Sequence, residues 1–339
     1  MTAPGFDRSG TSFGERYALV RRLGVGGMGE VYLARHKLLG IDRALKVLRS
    51  ALPADAHPVE RLLREARALA AVDHTNVVRV HDIETAGGEV ALAMEYVEGE
   101  TLLSHVRRLG PLSPGAVSDL LEDIAAGLDA IHNAGILHRD LKPSNVLLGR
   151  ASNGEVVPRI VDFGIARSES DEEQLTAPRQ ILGTPAYMSP EQAAGLPVDA
   201  RSDVFSLTAV IAFMLAGSAP VIAPGGSPDL DSWSTSSAWP QSIRTVLNAG
   251  FQRFPPDRPS SAKELALRFR SAVRDQESVP TRDAFPDRGG KQPLVVPVTE
   301  ILPRELPLPV PARPAGNGWG PWLSVAVLGV MLGVVIGLL

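Results

Sequence analysis

The 339-residue chain contains no cysteine, which excludes disulfides, thiolate zinc sites and cysteine nucleophiles together and fits a reducing compartment. It has no long basic run either, and 34 lysines and arginines against 38 acidic residues leave a formal charge of −4. Nucleic acid is therefore not expected as a partner, because the positive footprint that a phosphate backbone requires is missing. The first 15 residues hold no apolar block that would serve as a signal-peptide core, so secretion is not indicated. No repeat at a solenoid period is seen. The seven histidines do not fall at metal-ligand spacing: His36, His74 and His81 are scattered.

What the chain does have is apolar substance. Hydrophobic residues make up 44% and charged ones 21%, so a sizeable core is expected over most of its length. After a polar N-terminus, 1–15, residues 16–272 show β-branched alternation early and helix-like apolar periodicity later. That order predicts an α+β, bilobal fold, a small β-rich lobe followed by a larger helical one. Residues 273–318 carry nine prolines and alternations such as "LPLPVPARP" that cannot hold a helix, and read as an extended linker.

From Pro314 onward no residue is charged, and residues 319–339 are almost all apolar or small. At ~1.5 Å rise per residue this stretch extends to about 31 Å, the thickness of a bilayer's hydrocarbon core, and predicts a C-terminal transmembrane helix. Trp319 and Trp322 suit the headgroup boundary. The alternative is a buried hydrophobic helix of a soluble protein. Gly329, Gly333 and Gly337 recur every four residues and share one helix face, which would let a second copy approach.

The segment "LGVGGMGEVYLA" places Gly24, Gly26 and Gly29 in the pattern G-x-G-x-x-G. Alone the pattern is weak, because dinucleotide folds share it, but there a helix should follow. Here "EVYLARH" follows, with Val31 and Leu33 on one side and Tyr32 on the other, and reads as a strand. "RALKVL" then puts Lys46 in an apolar strand-like segment, where an ammonium needs an anionic partner. Glu65 in "RLLREARALAAV" lies on a helix and would provide one. "ILHRDLKPSNVLL" is followed by "IVDFGIA", with Asp162 standing 17 residues after Asn145. Together these segments offer what phosphoryl transfer demands: a carboxylate for an attacking hydroxyl, a cation for the moving phosphoryl, and an amide and a carboxylate for magnesium.

On these motifs, with "GVGGMGEVY" and "GTPAYMSPEQ", residues 16 to about 272 resemble the eukaryotic-type protein kinases, specifically the bacterial membrane-associated serine/threonine kinases. The resemblance implies ATP and Mg²⁺, with Mn²⁺ as an alternative ion, and protein substrates with Ser or Thr acceptors. It implies that Leu23, Gly24, Gly26, Gly29, Val31, Ala44 and Met94 surround the nucleotide. Glu95 and Val97 would offer hinge backbone groups to the base. Lys46 would contact the α and β phosphates and pair with Glu65. Asp140 would accept the hydroxyl proton, Lys142 would stabilise the γ-phosphoryl, and Asn145 and Asp162 would hold the metal.

Three further residues are implied as structural: Glu191 in an ion pair with Arg258, and Asp203 bracing the catalytic loop. His138 is expected in the core. Ser189 stands where this family often has alanine. Arg139 before Asp140 implies activation by a phosphate in the segment 162–191, for which Thr176 is the best-placed hydroxyl, while Thr184 is expected at the catalytic loop. The alternative reading is a membrane-tethered pseudokinase scaffold that binds ATP without transfer. Because ATP chemistry belongs in the cytosol, the kinase domain is expected on the cytoplasmic side; a homodimer through that domain or through the glycine face of the tail is one reading, lipid-facing or incidental glycines the other.

Overall fold

The computed structural model describes residues 7–26, 29–48, 66–151, 153–162, 185–221, 228, 230 and 239–277. Contacts divide the chain into Met1–Arg282 and Asp283–Leu339, and every described residue belongs to the first unit. The expected membrane helix and its glycine face lie outside the described residues, as do Glu65, Thr176 and Thr184. Among the described residues, no helix is long and apolar enough to cross a membrane.

The first lobe is a six-stranded antiparallel sheet. Its strands are β1 (Ser12–Phe13), β2 (Tyr17–Gly26), β3 (Gly29–His36), β4 (Asp42–Leu48), β5 (Val80–Ala86) and β6 (Glu89–Glu95), in spatial order β1-β2-β3-β4-β6-β5. Alternation sorts its side chains onto two faces. Tyr32, Ala34, Leu45, Val47, Ala91 and Ala93 pack together on one face with Phe13, Tyr17 and Leu19 from the first strands. On the other face Val80, Leu92 and Met94 join the core that the helices build. The predicted split of Tyr32 from Val31 and Leu33 follows: Tyr32 is fully buried, its neighbours only half-buried.

A second sheet, β7 (Gly99–Thr101), β8 (Val146–Arg150) and β9 (Val156–Ile160), floors the second lobe. Its helices are α1 (Leu102–Leu109), α2 (Pro114–Asn133), α3 (Pro190–Ala193), α4 (Ala200–Ala216), α5 (Gln241–Gly250) and α6 (Ala262–Glu277). Ser113 caps α2, accepting from Ala116 N–H, with proline at the first helical turn where its missing N–H costs nothing. Buried Val117, Leu121, Ile124, Leu128 and Ile131 form the helical stripe that the periodicity predicted.

Helix α4 has no such stripe: every residue from Ser202 to Leu215 is buried, so it runs through the centre of the lobe and holds what is attached to it. Asp199 caps its start, and Gly217 ends it with φ of 72°. The first turn of α6 is capped from outside, Ala262 and Lys263 N–H both donating to the Asp129 carboxylate of α2 at 3.0 Å. This helix runs five residues past position 272, since the linker prolines begin only at Pro280.

Candidate active site

The strand register aligns the nucleotide-side residues. Gly24 pairs with Val31, Val31 with Lys46 and Lys46 with Leu92, while Ala44 pairs with Met94 in the adjacent row. Directly opposed residues share a sheet face, so Val31, Ala44, Lys46 and buried Met94 sit on the inner face. Leu23 is half-exposed at the glycine-rich end of β2. Glu95 ends β6 with its N–H donated to Arg79 O at 2.9 Å, so the carbonyl is the group it could offer a base. Val97 follows on the connection to β7 and packs against the main core.

The three glycines of the flap are not equivalent. A Cβ at Gly29 would fall 2.1 Å from Val47 O, and its φ is 156°, so the fold itself requires glycine there. At Gly24 a Cβ would meet nothing within 4 Å, and at Gly26 only Gly29 O at 4.0 Å. Packing does not ask for glycine at these two positions, but a phosphate approaching the backbone closely would. The cradle fits a nucleotide.

Lys46 is buried, and its Nζ reaches Asp162 Oδ1 at 3.0 Å. The buried ammonium thus has its anionic partner, supplied by the second lobe. Asp162 has φ of 60°, a left-handed conformation for a non-glycine residue, and strain of this kind concentrates at functional positions. The neighbouring Val161 N–H donates to Asn145 O at 2.9 Å, tying the Asp162 and Asn145 segments together through the backbone.

Asn145 Nδ2 donates to Asp140 O at 2.9 Å and to Asp140 Oδ2 at 3.2 Å. With the amide nitrogen so engaged, Oδ1 is the atom that would meet a cation. Lys142 Nζ lies 2.8 Å from the same Asp140 oxygen. Lys46 with Asp162, and Asp140 with Lys142 and Asn145, therefore form two bonded sets joined through the backbone bond from Val161 N–H to Asn145 O. Among the described residues there is no group of three or more histidine or acidic side chains that could hold a metal ion. A nucleotide-borne magnesium fits nonetheless, because Mg²⁺ is held by one or two protein oxygens plus phosphates and water, and Asn145 and Asp162 supply hard oxygen donors.

The catalytic loop hangs from α4. Asp203, 1% exposed, accepts His138 N–H at 2.7 Å and Arg139 N–H at 2.8 Å, and His132 Nε2 stands 2.8 Å away. Burial pushes the Asp203 carboxyl up, but the bonds from His132 and from the His138 N–H more than reverse this and hold it below its ordinary value. Burial drives His138 down, so the ring is neutral at pH 7. Its Nε2 donates to Val161 O at 3.1 Å, and its Nδ1 accepts the Asp140 N–H at 3.3 Å. The core position expected for His138 is observed, and its role is to join the Asp140 segment to the Asp162 segment.

Glu191 and Arg258 form a buried bidentate pair at 2.6 and 2.8 Å. Ser202 also donates to Glu191, and Arg258 donates to the carbonyls of Arg201, Gln252 and Arg253. Burial raises the Glu191 carboxyl, but Arg258 and Ser202 outweigh it and lower it to about 2.

Residue types alone do not reveal three contacts. His132 grips Asp203. Arg159 on β9 donates twice to Glu95 at 2.9 Å, bonding the lobes beside the hinge. Gln192 reaches Arg139 O. The only sequence signal for them is position: His132 lies one helical turn before the loop, and Gln192 directly follows Glu191.

Residues 17–266 match the protein kinase domain family, and the chain belongs to that family. Over 211 residues it is 46% identical to serine/threonine-protein kinase pkn2 of Myxococcus xanthus, covering 62% of this chain and 25% of that protein. It is 43% identical over 218 residues to serine/threonine-protein kinase PknB of Mycobacterium leprae, covering 63% of this chain and 34% of the relative. The crystal structure of the Mycobacterium tuberculosis PknI kinase domain is similar with a TM-score of 0.63 and 32% identity, covering 78% of this chain and 98% of that domain. The chain spans between a quarter and about a third of the length of these two curated relatives. Its fold is the protein kinase fold, with a β-rich first lobe and a helical second one.

Proposed function

We propose that the protein is an ATP-dependent serine/threonine protein kinase. The observation that supports this reading is the pair Lys46–Asp162 joined, through the bond from Val161 N–H to Asn145 O, to the set Asn145, Asp140 and Lys142. The complete cluster disfavours the scaffold reading, in which loss of one of these groups would be expected.

The Asp140 carboxylate accepts the proton of the substrate hydroxyl as that oxygen bonds to the γ-phosphorus, while the bond from that phosphorus to the β,γ-bridging oxygen breaks and ADP leaves with the electron pair. Lys142, within hydrogen-bond reach of Asp140, carries positive charge to the transferring phosphoryl. Lys46, buried on the inner sheet face, orients the α and β phosphates, and the open backbone at Gly24 and Gly26 covers them. The hinge carbonyl of Glu95 and the backbone of Val97 read the adenine beside Met94. Magnesium, held by Asn145 and Asp162, would neutralise charge on the phosphates. In this family, Lys142 in "DLKPSN" and Thr184 in "GTPAYMSPE" favour Ser and Thr over Tyr as acceptors.

Residues 319–339 would tether the kinase domain, cytoplasmic, to a membrane, and Gly329, Gly333 and Gly337 would bring two copies together. Two catalytic domains on one membrane raise each other's effective concentration, which favours phosphorylation of Thr176 in trans and its pairing with Arg139. Incubation with radiolabelled ATP, Mg²⁺ or Mn²⁺ and a generic basic protein, followed by phosphoamino-acid analysis, tests the reading. Label in phosphoserine or phosphothreonine is expected; label in phosphotyrosine alone would contradict the acceptor class.

A further inference from the structure

Arg139 has φ of 61°, in the left-handed region that side chains disfavour, and the proton acceptor Asp140 follows it directly. Its peptide groups are held from two elements. The Arg139 N–H donates to Asp203 Oδ1 at 2.8 Å, and the Arg139 carbonyl accepts from Gln192 Nε2 at 2.9 Å. Gln192 is the third residue of α3, and its Oε1 accepts from Ser189 N–H at 3.2 Å and from the Ser189 hydroxyl at 3.0 Å. The same hydroxyl accepts Gln192 N–H at 3.4 Å, completing a capping box.

A backbone N–H can only donate and a carbonyl can only accept, so the Gln192 amide has a single orientation: oxygen to Ser189, nitrogen to Arg139. Ser189 is fully buried, and Glu191 between the two is clamped by Arg258. Helix α3 is thus a fixed platform from which one amide reaches the strained peptide. The Ser189 N–H and the Arg139 carbonyl set that orientation, and the buried hydroxyl at position 189, where the family often has alanine, adds a second donor to Oε1.

We propose that Ser189 and Gln192 form a positioning relay that holds the Arg139 peptide, and with it Asp140, in register for transfer, coupling the end of the activation segment to the catalytic loop. The proposal rests on the kinase reading above. Were the Arg139 carbonyl released, relaxation of φ toward the right-handed region would rotate Asp140 away from Lys142 and Asn145. Such a displacement of the reacting carboxylate lowers turnover without touching the nucleotide.

Gln192→Glu separates positioning from folding. A glutamate keeps both acceptor contacts to Ser189, and so the capping box, but cannot donate to Arg139. The expected result is a kcat lowered by about tenfold or more, with KM for ATP held within about twofold. The melting temperature checks that the fold tolerates the carboxylate oxygen now facing the Arg139 carbonyl, and hydrogen exchange at the Arg139 and Asp140 amides should be faster. Ser189→Ala should lower kcat by a smaller factor and add nothing in a Gln192→Leu background, because the two residues act through one bond. Wild-type kcat and wild-type amide exchange in Gln192→Glu would overturn the relay, as would a Ser189→Ala effect that multiplies fully with Gln192→Leu. A wild-type chain that transfers no phosphoryl counts against the kinase reading alone, and the amide exchange of the same variants then decides the relay by the same two outcomes.

Discussion

Lys46 Nζ stands 3.0 Å from Asp162 Oδ1, so a strand of the first lobe and the start of the activation segment, 116 positions later in the chain, meet in one ion pair. The ammonium is buried where a lone charge would be costly, and the carboxylate sits on a left-handed residue. Both are features a stable fold would avoid unless the site used them.

Lys46→Met follows from this pair. Methionine fills the inner-face position but gives up the cation, so transfer should fall by at least about a hundred-fold, as when a group preorganised for transition-state charge is lost. Removing the ammonium also leaves Asp162 without this partner, and the melting temperature checks that the fold survives.

Acid should find the Glu191–Arg258 pair. The Glu191 carboxyl lies at about 2 in the folded chain against an ordinary 4.5. A depressed value means its contribution is complete above pH 4.5 and is lost as the pH falls from there toward 2, amounting to about 3 kcal/mol in all. Arg258→Met strands the buried carboxylate and should destabilise by about 3 to 5 kcal/mol at neutral pH. Denaturant unfolding of wild type and variant between pH 7 and pH 3 reads both: the gap should narrow as the pH drops.

Asp203→Asn tests the suspension of the catalytic loop. An amide cannot accept at both oxygens, so one of the bonds from His138 N–H and Arg139 N–H must be lost. Turnover should fall by about tenfold or more while nucleotide affinity, measured by calorimetry, stays near wild type.

Deleting residues 319–339 should move the protein from the membrane to the soluble fraction of its host without changing the specific activity of the catalytic domain. Gly333→Leu in the full chain should weaken self-association in detergent if the glycine face pairs two copies.

Much of this site was legible because phosphoryl transfer fixes residue types at short spacings. Asp140, Lys142 and Asn145 lie within six positions, and a loop that short can bring them together in few ways. The two-lobe order was readable from the change of apolar period, visible in the alternation around Tyr32 and the stripe from Val117 to Ile131. Helix α4 was not readable by period, because it is buried all round and carries no stripe. The partner of Lys46 was expected to be Glu65; the structure shows Asp162 against it, and Glu65 lies outside the described residues. His132, Arg159 and Gln192 act through contacts that span tens of positions or reach a backbone carbonyl, and neither leaves a local pattern. The glycine-rich flap shows the same limit: one motif, yet Gly29 serves the fold while Gly24 and Gly26 leave room for a ligand.

The central claim is that Asp140 accepts a proton in phosphoryl transfer within the cluster anchored by Lys46 and Asp162. Transfer from radiolabelled ATP with Mg²⁺, compared between wild type and Asp140→Asn at matched folding and matched ATP affinity, tests it most directly. Transfer lowered by about 10² to 10⁴-fold in the variant is the predicted result; equal rates in the two, or no transfer by wild type with either Mg²⁺ or Mn²⁺, would contradict the account.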